Sequence, residues 1–501
     1  MSVPRIRRSA VLAAGLALIT AGALAGPAAG AAVAADTSAG ASAATGQPMN
    51  YVVNTKANHG QTKKAEREIE AAGGTVVASY EQIGVVIARS SAPGFAAKLR
   101  QSKTIDSVGA SRTAGIQASA DVEATVEETA ASAATADGTE PLWANQWDMK
   151  QIGVDVAHRT TLGSRNVVVG VLDSGIDATH EDLAANVDAS LSASCLSGAP
   201  DTSWQSWQPT SSSHGTHVAG TIAAAKNGKG IEGIAPNVRL AAVKVVDDGG
   251  FIYPEYAVCG FVWAAEHHFT LTNNSYYVDP WMFNCAGDPD QSAVSEAVRR
   301  AVDYSRRGGV LNVAAAGNEN IDLAHKTVDV SSPDDTNPGS RPIDASCLNL
   351  PAELPGVISV SAIGSKGDKS YYSSYGLNKI TVAAPGGDAT AFQTPDTPDR
   401  KGGVLSTLPG NKYGYMSGTS MASPHVAGVL ALLASTHPGA GPDKLTSLLV
   451  KQADPHACPT GVFNPGGSGA YKATCEGTDA NNGFYGAGVV SAAKAADAWR
   501  N

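Results

Sequence analysis

Charged residues are scarce in this 501-residue chain, and those present favour the acidic side. Only 16% of the residues are Asp, Glu, Lys or Arg, and the formal net charge is −10. No extended basic run offsets this balance. Because nucleic-acid-binding proteins carry basic patches or stripes, the composition argues against a nucleic-acid partner. The length predicts an ample core and roughly two or three domains.

The N-terminus has an apolar segment, but it is too short to span a membrane comfortably. Arginines precede the segment, which runs from Ala10 to about Leu24, and small residues follow it up to Ala35. This order is typical of a secretory signal peptide over residues 1–35. The alternative, a membrane anchor, is disfavoured by the small flanking residues. The sequence therefore predicts secretion to the extracellular space and a mature form without a membrane span.

Cysteine is missing from the N-terminal part of the chain, since the first one is Cys195. The chain has no C-x-x-C spacing, which argues against a zinc site. An even number of cysteines in a secreted chain indicates disulfides, but the spacing leaves their connectivity open. The pairing expected first is Cys458 with Cys475, because it closes one short loop.

Residues 36–141 hold a small folded module and a linker. Residues 49–113 contain strand-like and helical stretches in the order β-α-β-β-α-β, which predicts a ferredoxin-like α+β module. Residues 114–141 are rich in Ala, Thr and acidic side chains and are expected to form an exposed linker. A module between a signal peptide and a linker suggests a pro-segment, whereas the alternative is an ordinary second domain.

The remainder, residues 142–501, alternates between short apolar runs and longer helical stretches. The run at 167–172 is apolar throughout, as a parallel strand covered on both faces requires. Other strand-like runs are 240–246, 309–316, 357–362 and 380–384, and the helical stretches are 214–225, 254–267, 291–307 and 418–436. This alternation predicts an α/β fold with a doubly wound, mostly parallel sheet. Such sheets place their sites at the carboxyl ends of the strands.

Four polar residues stand where that rule places a site. Asp173 ends a strand, Asn318 follows another, His214 opens a helix, and Ser420 opens a helix that is apolar on every face. A lone serine at a helix start is usually only a cap. A serine becomes a nucleophile when a histidine takes its proton, and a buried carboxylate holds that histidine in the right tautomer. An amide at a strand exit can donate a hydrogen bond to a developing oxyanion.

These residues lie in the motifs D-S-G, H-G-T-H-V-A-G, A-A-G-N and G-T-S-M-A-S-P-H. Together, the motifs resemble those of the subtilisin-like serine proteases over about residues 142–501. The resemblance implies that Asp173, His214 and Ser420 form the catalytic triad and that Asn318 is the oxyanion donor. It also implies that the preceding module is an inhibitory propeptide, which assists folding and is removed autocatalytically.

The resemblance extends to the substrate-binding walls. Gly250, Phe251 and Ile252 match the edge segment that pairs with a substrate's backbone. Ser275 and Tyr277 match the opposite wall, near the primary specificity pocket. The chain departs from the family here, because Tyr277 stands where glycine is common and an insertion follows it.

The family also suggests a structural calcium ion. Asp182 follows the catalytic aspartate at the matching spacing, and the loop 225–231 has the matching length, with Asn227 as a side-chain oxygen donor. Oxygen ligands suit a hard cation such as calcium. The alternative is an ordinary exposed turn. No organic cofactor is expected.

The sequence thus predicts a secreted serine endopeptidase, made as a precursor, that hydrolyses protein or peptide substrates through an acyl-enzyme. Its own propeptide is the expected intramolecular inhibitor. One alternative is a catalytically silent binding protein on the same scaffold. A second is the related serine-carboxyl peptidase class, which His214 and Asn318 argue against, because that class has Glu and Asp in their places.

Overall fold

The computed structural model of the chain describes residues 46–113, 127–129 and 139–497. The predicted signal peptide and most of the predicted linker therefore lie outside the described residues. Within the described ranges, no helix has both the length and the apolar character needed to cross a membrane.

The N-terminal module, residues 49–113, has the predicted β-α-β-β-α-β order. Its elements are β1 (Met49–Thr55), α1 (His59–Ala71), β2 (Gly74–Tyr80), β3 (Val85–Ser90), α2 (Phe95–Leu99) and β4 (Ile105–Ala110). The four strands form an antiparallel sheet in the order β2-β3-β1-β4, which confirms the ferredoxin-like topology. Val53, Ile69 and Phe95 lie in the core between this sheet and its two helices.

The larger part of the chain contains the predicted alternation of strands and helices. Its helices are α3 (Trp147–Gln151), α4 (Val154–Ala157), α5 (His214–Ala223), α6 (Pro254–Glu266), α7 (Pro289–Arg307), α8 (Thr419–Thr436), α9 (Pro442–Gln452) and α10 (Ala492–Ala495). The strands that follow the module are β5 (Glu127–Thr129), β6 (Val168–Asp173), β7 (Ala193–Ser194), β8 (Arg239–Lys244), β9 (Leu271–Asn274), β10 (Asn284–Cys285), β11 (Leu311–Ala315), β12 (Val328–Asp329), β13 (Arg341–Pro342), β14 (Cys347–Leu348), β15 (Ile358–Ile363), β16 (Val382–Pro385), β17 (Val404–Leu408), β18 (Lys412–Met416), β19 (Gly477–Thr478) and β20 (Asn481–Asn482).

Seven parallel strands form the central sheet, in the order β16-β15-β11-β9-β6-β8-β7. Side chains alternate between the two faces of a strand, so each face has its own core. Val169 and Val171 of β6 belong to the apolar cluster that includes α5 and α8. Val168 and Leu172 belong to the cluster that includes α6 and α7. Helices on both faces of a parallel sheet confirm the predicted doubly wound α/β fold.

The N-terminal module packs against the same face as α6 and α7. Its residues Val52, Val85 and Ile87 share one apolar cluster with the side chains of these two helices. The module is therefore seated on the outer surface of the helices that cover the sheet, and its contacts bury apolar area from both partners.

The predicted linker is not exposed throughout. Strand β5 pairs antiparallel with β18, which adds it to the hairpin formed by β17 and β18. Glu140 is buried, and its Oε1 accepts a hydrogen bond of 2.9 Å from the N–H of Gly228. The expectation of exposure is wrong at Glu140, because the turn at residues 227–229 supplies backbone donors to its carboxylate.

Helix α8 is buried almost throughout, as its uniformly apolar sequence predicts. Pro424 lies inside the helix and has no N–H to donate to the carbonyl of Ser420, one turn earlier. The hydroxyl of Ser275 donates to that carbonyl instead, at 2.8 Å. A side chain at the end of β9 thereby replaces the missing helical hydrogen bond and fixes the start of α8.

The six cysteines form three disulfides, all within the larger part of the chain. The expected pair Cys458–Cys475 is confirmed, and the other pairs are Cys195–Cys259 and Cys285–Cys347. Cys285 belongs to the insertion after Tyr277, so the third pair attaches that insertion to β14.

Close packing of α8 predicts that Gly428→Ala destabilises the fold. A Cβ atom at Gly428 would lie 2.7 Å from the Cβ of Ile234, and neither backbone can retreat without disturbing the core. Overpacking of this kind costs about 1–3 kcal/mol, so calorimetry is expected to record a lower melting temperature. The control is Gly287→Ala, where no described atom lies within 4 Å of the added carbon. Equal melting temperatures for the two variants would contradict the packing described.

Candidate active site

The four polar residues selected from the sequence meet at one edge of the sheet. Asp173 is the last residue of β6, Asn318 follows β11, His214 is the first residue of α5, and Ser420 is the second residue of α8. All four line a single cleft of about 440 Å³. The cleft lies at the carboxyl ends of the parallel strands, where a doubly wound sheet places its ligand site.

Asp173 and His214 are joined by a direct hydrogen bond. The Nδ1 atom of His214 lies 2.8 Å from Oδ1 and 3.0 Å from Oδ2 of Asp173. The carboxylate is buried, and its Oδ1 also accepts the N–H of Ser174 at 2.7 Å. Because a carboxylate can only accept, Nδ1 carries the proton of the neutral ring. The other ring nitrogen, Nε2, is then the basic one.

The surroundings of His214 favour its charged form. Burial lowers the pKa of His214, but the charge of Asp173 and the hydrogen bond to it raise that pKa by more. The net result is a pKa above the ordinary value of 6.5. Asp173 thus orients the imidazole and stabilises the imidazolium that forms when the ring accepts a proton.

Ser420 and Ser275 are held together by reciprocal hydrogen bonds. The Oγ of Ser420 donates to the carbonyl of Ser275 at 3.1 Å, and the Oγ of Ser275 donates to the carbonyl of Ser420. Within the described chain, no hydrogen bond joins Ser420 Oγ to His214. Contacts between a nucleophile and its base are often long without substrate, and rotation about one side-chain bond redirects a hydroxyl.

The side-chain amide of Asn318 is fixed through its oxygen. Its Oδ1 accepts hydrogen bonds from the N–H of Thr419 at 2.8 Å and from the hydroxyl of Thr419 at 2.9 Å. Its Nδ2 donates to no atom of the described residues. The amide therefore has a donor available beside the N-terminus of α8, where the positive end of the helix dipole also lies.

The edge segment at Gly250, Phe251 and Ile252 lines the cleft, but its N–H groups are already bonded. Gly250 donates to the carbonyl of Asp247 at 3.0 Å, and Phe251 donates to the carboxylate of Asp247 at 3.1 Å. Ile252 donates to the carboxylate of Asp279. Sequence reasoning expected this backbone to pair with a substrate, yet none of the three N–H groups is free. The carboxylates of Asp247 and Asp279 thus satisfy N–H groups of this segment within the protein.

The opposite wall contains Tyr277 and carboxyl groups that the sequence did not single out. The hydroxyl of Tyr277 donates to Oδ2 of Asp334 at 2.7 Å, and Asp279, Asp334 and Glu319 all line the cleft. Burial raises the pKa of Asp279, and the nearby Asp334 carboxyl raises it further. Asp279 lies two residues beyond Tyr277, so its position next to the wall segment could have indicated it. Asp334 lies in a loop without any periodic signal.

Two histidines near the motifs have structural contacts. His217 is buried, with its Nε2 3.1 Å from the carbonyl of Val404, and burial lowers its pKa to about 3. His425 is buried and places its Nε2 3.0 Å from the carboxylate of Asp148. Neither histidine lines the cleft.

Asp182 and Asn227, the expected calcium ligands, meet outside the cleft. The Nδ2 of Asn227 donates to Oδ1 of Asp182 at 3.1 Å. The Oδ2 of Asp182 accepts from the hydroxyl of Tyr413 at 2.9 Å and from the N–H of Ile231 at 3.1 Å. Burial raises the pKa of Asp182 to about 7.

Glu140 adds a second buried carboxylate to this loop. One of its oxygens bonds to Gly228, and the other accepts no hydrogen bond from any described residue. The ammonium of Lys226 is already paired with Glu232. Two buried carboxylates, one with an unpartnered oxygen, offer the oxygen ligands that a hard cation binds. Asn227, by contrast, presents its Nδ2 to Asp182, and its Oδ1 already accepts the N–H of Lys229.

The site geometry predicts how His214 titrates. The imidazolium of His214 is expected to persist above pH 6.5. The substitution Asp173→Asn is expected to lower the pKa of His214, because the charge that stabilises the imidazolium is lost. NMR of the ring carbons measures both titrations. Asp177→Asn is the control, since Asp177 bonds to Thr179 and not to His214. An unchanged pKa in Asp173→Asn would contradict the arrangement described.

Comparison with known proteins agrees with the fold and the motifs. The subtilase family model matches residues 164–488, which include all four polar residues of the cleft. Fervidolysin of Fervidobacterium pennivorans is 32% identical over 320 residues, which cover 61% of this chain and 40% of that protein. Subtilisin E of Bacillus subtilis (strain 168) is 35% identical over 292 residues, covering 58% of this chain and 61% of that protein. The matched region thus spans about two-fifths of the length of fervidolysin and about three-fifths of the length of subtilisin E.

Solved structures extend the likeness in fold to most of the chain. The epidermin leader peptide processing serine protease of Staphylococcus aureus has a TM-score of 0.65 at 22% identity, covering 91% of this chain and 99% of that chain. A protease of Pseudoalteromonas arctica PAMC 21717 has a TM-score of 0.53 at 28% identity, covering 72% of this chain and 98% of that chain. The family match, the shared fold and the motifs around the cleft lead to one conclusion: this chain belongs to the subtilase family.

Proposed function

We propose that this protein is a serine endopeptidase that hydrolyses peptide bonds through an acyl-enzyme intermediate. The observation that carries the proposal is the hydrogen bond between Asp173 and His214 in the cleft that also contains Ser420. Membership of the subtilase family supports it. The substrates are proteins or peptides, and no organic cofactor is required.

The cleft residues divide the reaction between them. The Oγ of Ser420 attacks the substrate carbonyl while Nε2 of His214 takes the proton of that hydroxyl. His214 then passes the proton to the leaving amine. Asp173 stabilises the imidazolium while the proton is on the ring. The free Nδ2 of Asn318 donates to the oxygen that becomes negative in the tetrahedral intermediate. Water then attacks the acyl-enzyme. His214 takes a proton from this water and returns a proton to the Oγ of Ser420 as the ester bond breaks.

We further propose that the protein is secreted as a precursor and that the N-terminal module is its pro-segment and inhibitor. Support comes from the contacts between the module and the larger part of the chain. The hydroxyl of Tyr80 donates to the carbonyl of Gly198 at 2.6 Å. The N–H of Thr113 donates to Oδ2 of Asp335 at 2.8 Å. Asp335 follows Asp334, a residue of the cleft wall, so the module ends at the rim of the cleft.

Ser420→Ala tests this function. A fluorophosphonate probe is expected to label the wild type at Ser420 and to leave the variant unlabelled, because the probe needs an activated serine. The variant is also expected to retain its N-terminal module, which gel electrophoresis and N-terminal sequencing detect.

Ser417→Ala is the matched control, because Ser417 is an exposed serine close to Ser420 and outside the cleft. This variant is expected to be labelled and processed like the wild type. Maturation of Ser420→Ala in the absence of other proteases would show that the chain does not process itself. Absence of labelling in the wild type would instead favour a silent binding protein.

Asn318→Leu is expected to lower kcat with little change in KM. The amide donor binds the developing oxyanion more strongly than the ground-state carbonyl, so its loss affects mainly the transition state. The expected loss in kcat is about a hundredfold to a thousandfold, which is the loss known for removal of such a donor from subtilisin itself. Steady-state kinetics with a peptide substrate measure it, and an unchanged kcat would reduce Asn318 to a structural role.

A structural calcium ion at the loop 225–231 is a separate proposal. Asp182, Asn227 and Glu140 are the side chains that would hold it, and the ion would neutralise the two buried carboxylates. A ligand bound only by the native form stabilises it, so chelation is expected to lower the melting temperature. Asp182→Asn is expected to remove that difference, whereas Asp188→Asn is expected to keep it, because Asp188 pairs with Arg239. Identical melting curves with calcium and with chelator would exclude the ion.

A further inference from the structure

Arg112, near the end of the N-terminal module, forms a buried ion pair with the larger part of the chain. Its guanidinium contacts the carboxylate of Glu255 and lies 3.7 Å from the centre of the Tyr253 ring. The side chain of Glu255 is 0% exposed and that of Arg112 is 6% exposed. Tyr253 and Glu255 both stand at the start of α6. A planar cation is therefore held between an aromatic face and a carboxylate.

This arrangement suits a guanidinium in particular. Arginine stacks on aromatic rings and is weakly hydrated, whereas the ammonium of lysine is compact and strongly hydrated. Oε1 of Glu255 also accepts a hydrogen bond of 2.7 Å from Asn50, and Oε2 accepts none from the described residues. A buried carboxylate needs a partner cation, and within the described chain Arg112 is the cation paired with Glu255.

The ion pair lies beside the proposed active site. The ring of Phe251, which lines the cleft, lies 5.7 Å from the ring of Tyr253. Thr113, the residue after Arg112, bonds to Asp335 next to the opposite wall. Two consecutive residues of the module, Arg112 and Thr113, thus contact the start of α6 and the opposite rim of the cleft. Because the proposed pro-segment includes Thr113, the bond cut in maturation lies C-terminal to Thr113, and Arg112 lies on the N-terminal side of that bond.

We propose that Tyr253 and Glu255 form a substrate subsite for arginine on the N-terminal side of the scissile bond. This rests on the proposed endopeptidase function. In the precursor, Arg112 fills the subsite. Once the module leaves, the carboxylate of Glu255 and the face of Tyr253 lose their cation, and the guanidinium of a substrate restores both contacts.

The test compares peptides that differ in one side chain. The probe is a series of fluorogenic peptides in which arginine, lysine or citrulline is placed in turn at each position N-terminal to the cleaved bond. Citrulline has the shape of arginine without its charge. The wild-type enzyme, after loss of its module, is expected to cleave the arginine peptide with a kcat/KM about tenfold higher than the citrulline peptide at one position. Lysine is expected to fall between them.

Two variants assign the preference to the subsite. Glu255→Gln is expected to bring the ratio of arginine to citrulline close to one, because the charged partner is gone. Asp290→Asn is the matched control and is expected to keep the wild-type ratio. Asp290 also pairs with an arginine of the module, Arg100, and also stands at a helix start, but that helix is α7, whereas Glu255 lies on α6, which follows Phe251 of the cleft.

The outcomes separate this proposal from the one on which it rests. A wild-type enzyme that cleaves the peptides without any preference for arginine overturns the subsite and leaves the endopeptidase function intact. This comparison needs no variant, so it holds even where Glu255→Gln fails to fold. An arginine preference that survives in Glu255→Gln also overturns the subsite. If the wild type neither cleaves any peptide nor reacts with fluorophosphonate, both proposals fall together.

Discussion

The burial of α8 on every side is the constraint on which the candidate site depends. A helix that is apolar all round is stable only between the sheet and other helices, which leaves its N-terminus at the carboxyl edge of the strands. The hydrophobic effect therefore places the helix that carries Ser420, and the hydrogen bonds between Ser420 and Ser275 fix the serine locally. Pro424 removes one backbone bond near this end, and Ser275 replaces it, so β9 and α8 are joined at the serine. The position of the hydroxyl follows from packing that extends through the whole larger part of the chain.

Electrostatics then decides what the cleft can do. Asp173 is withdrawn from water and faces His214, so its charge acts on the imidazole without much screening. Further carboxyl groups line the opposite wall, among them Asp279 and Asp334. The excess of acidic over basic residues in the whole sequence is thus also found in the cleft, whose described lining residues include no lysine or arginine.

The sequence could predict the features that strong local patterns determine. The apolar run of β6 and the uniformly apolar α8 each leave few structural options, so the sheet, its layers and the meeting of Asp173, His214 and Ser420 were predictable. Glu140 was misjudged because a low-complexity composition does not reveal a distant turn that binds one of its side chains. The bonded N–H groups of Phe251 and Ile252 were missed for a related reason. Asp247 and Asp279 reach them through loop conformations, which have no periodicity in sequence.

The distribution of cysteine has a consequence for how the two parts of the chain come apart. Every disulfide lies within the larger part, and the sequence has no cysteine before Cys195. The N-terminal module is therefore attached by the polypeptide backbone and by noncovalent contacts alone. After a single cut of the backbone, the module can separate by ordinary dissociation, which dilution favours. This separation needs no reductant. Reduction would act elsewhere, on the three disulfides of the larger part, one of which holds the insertion at Cys285.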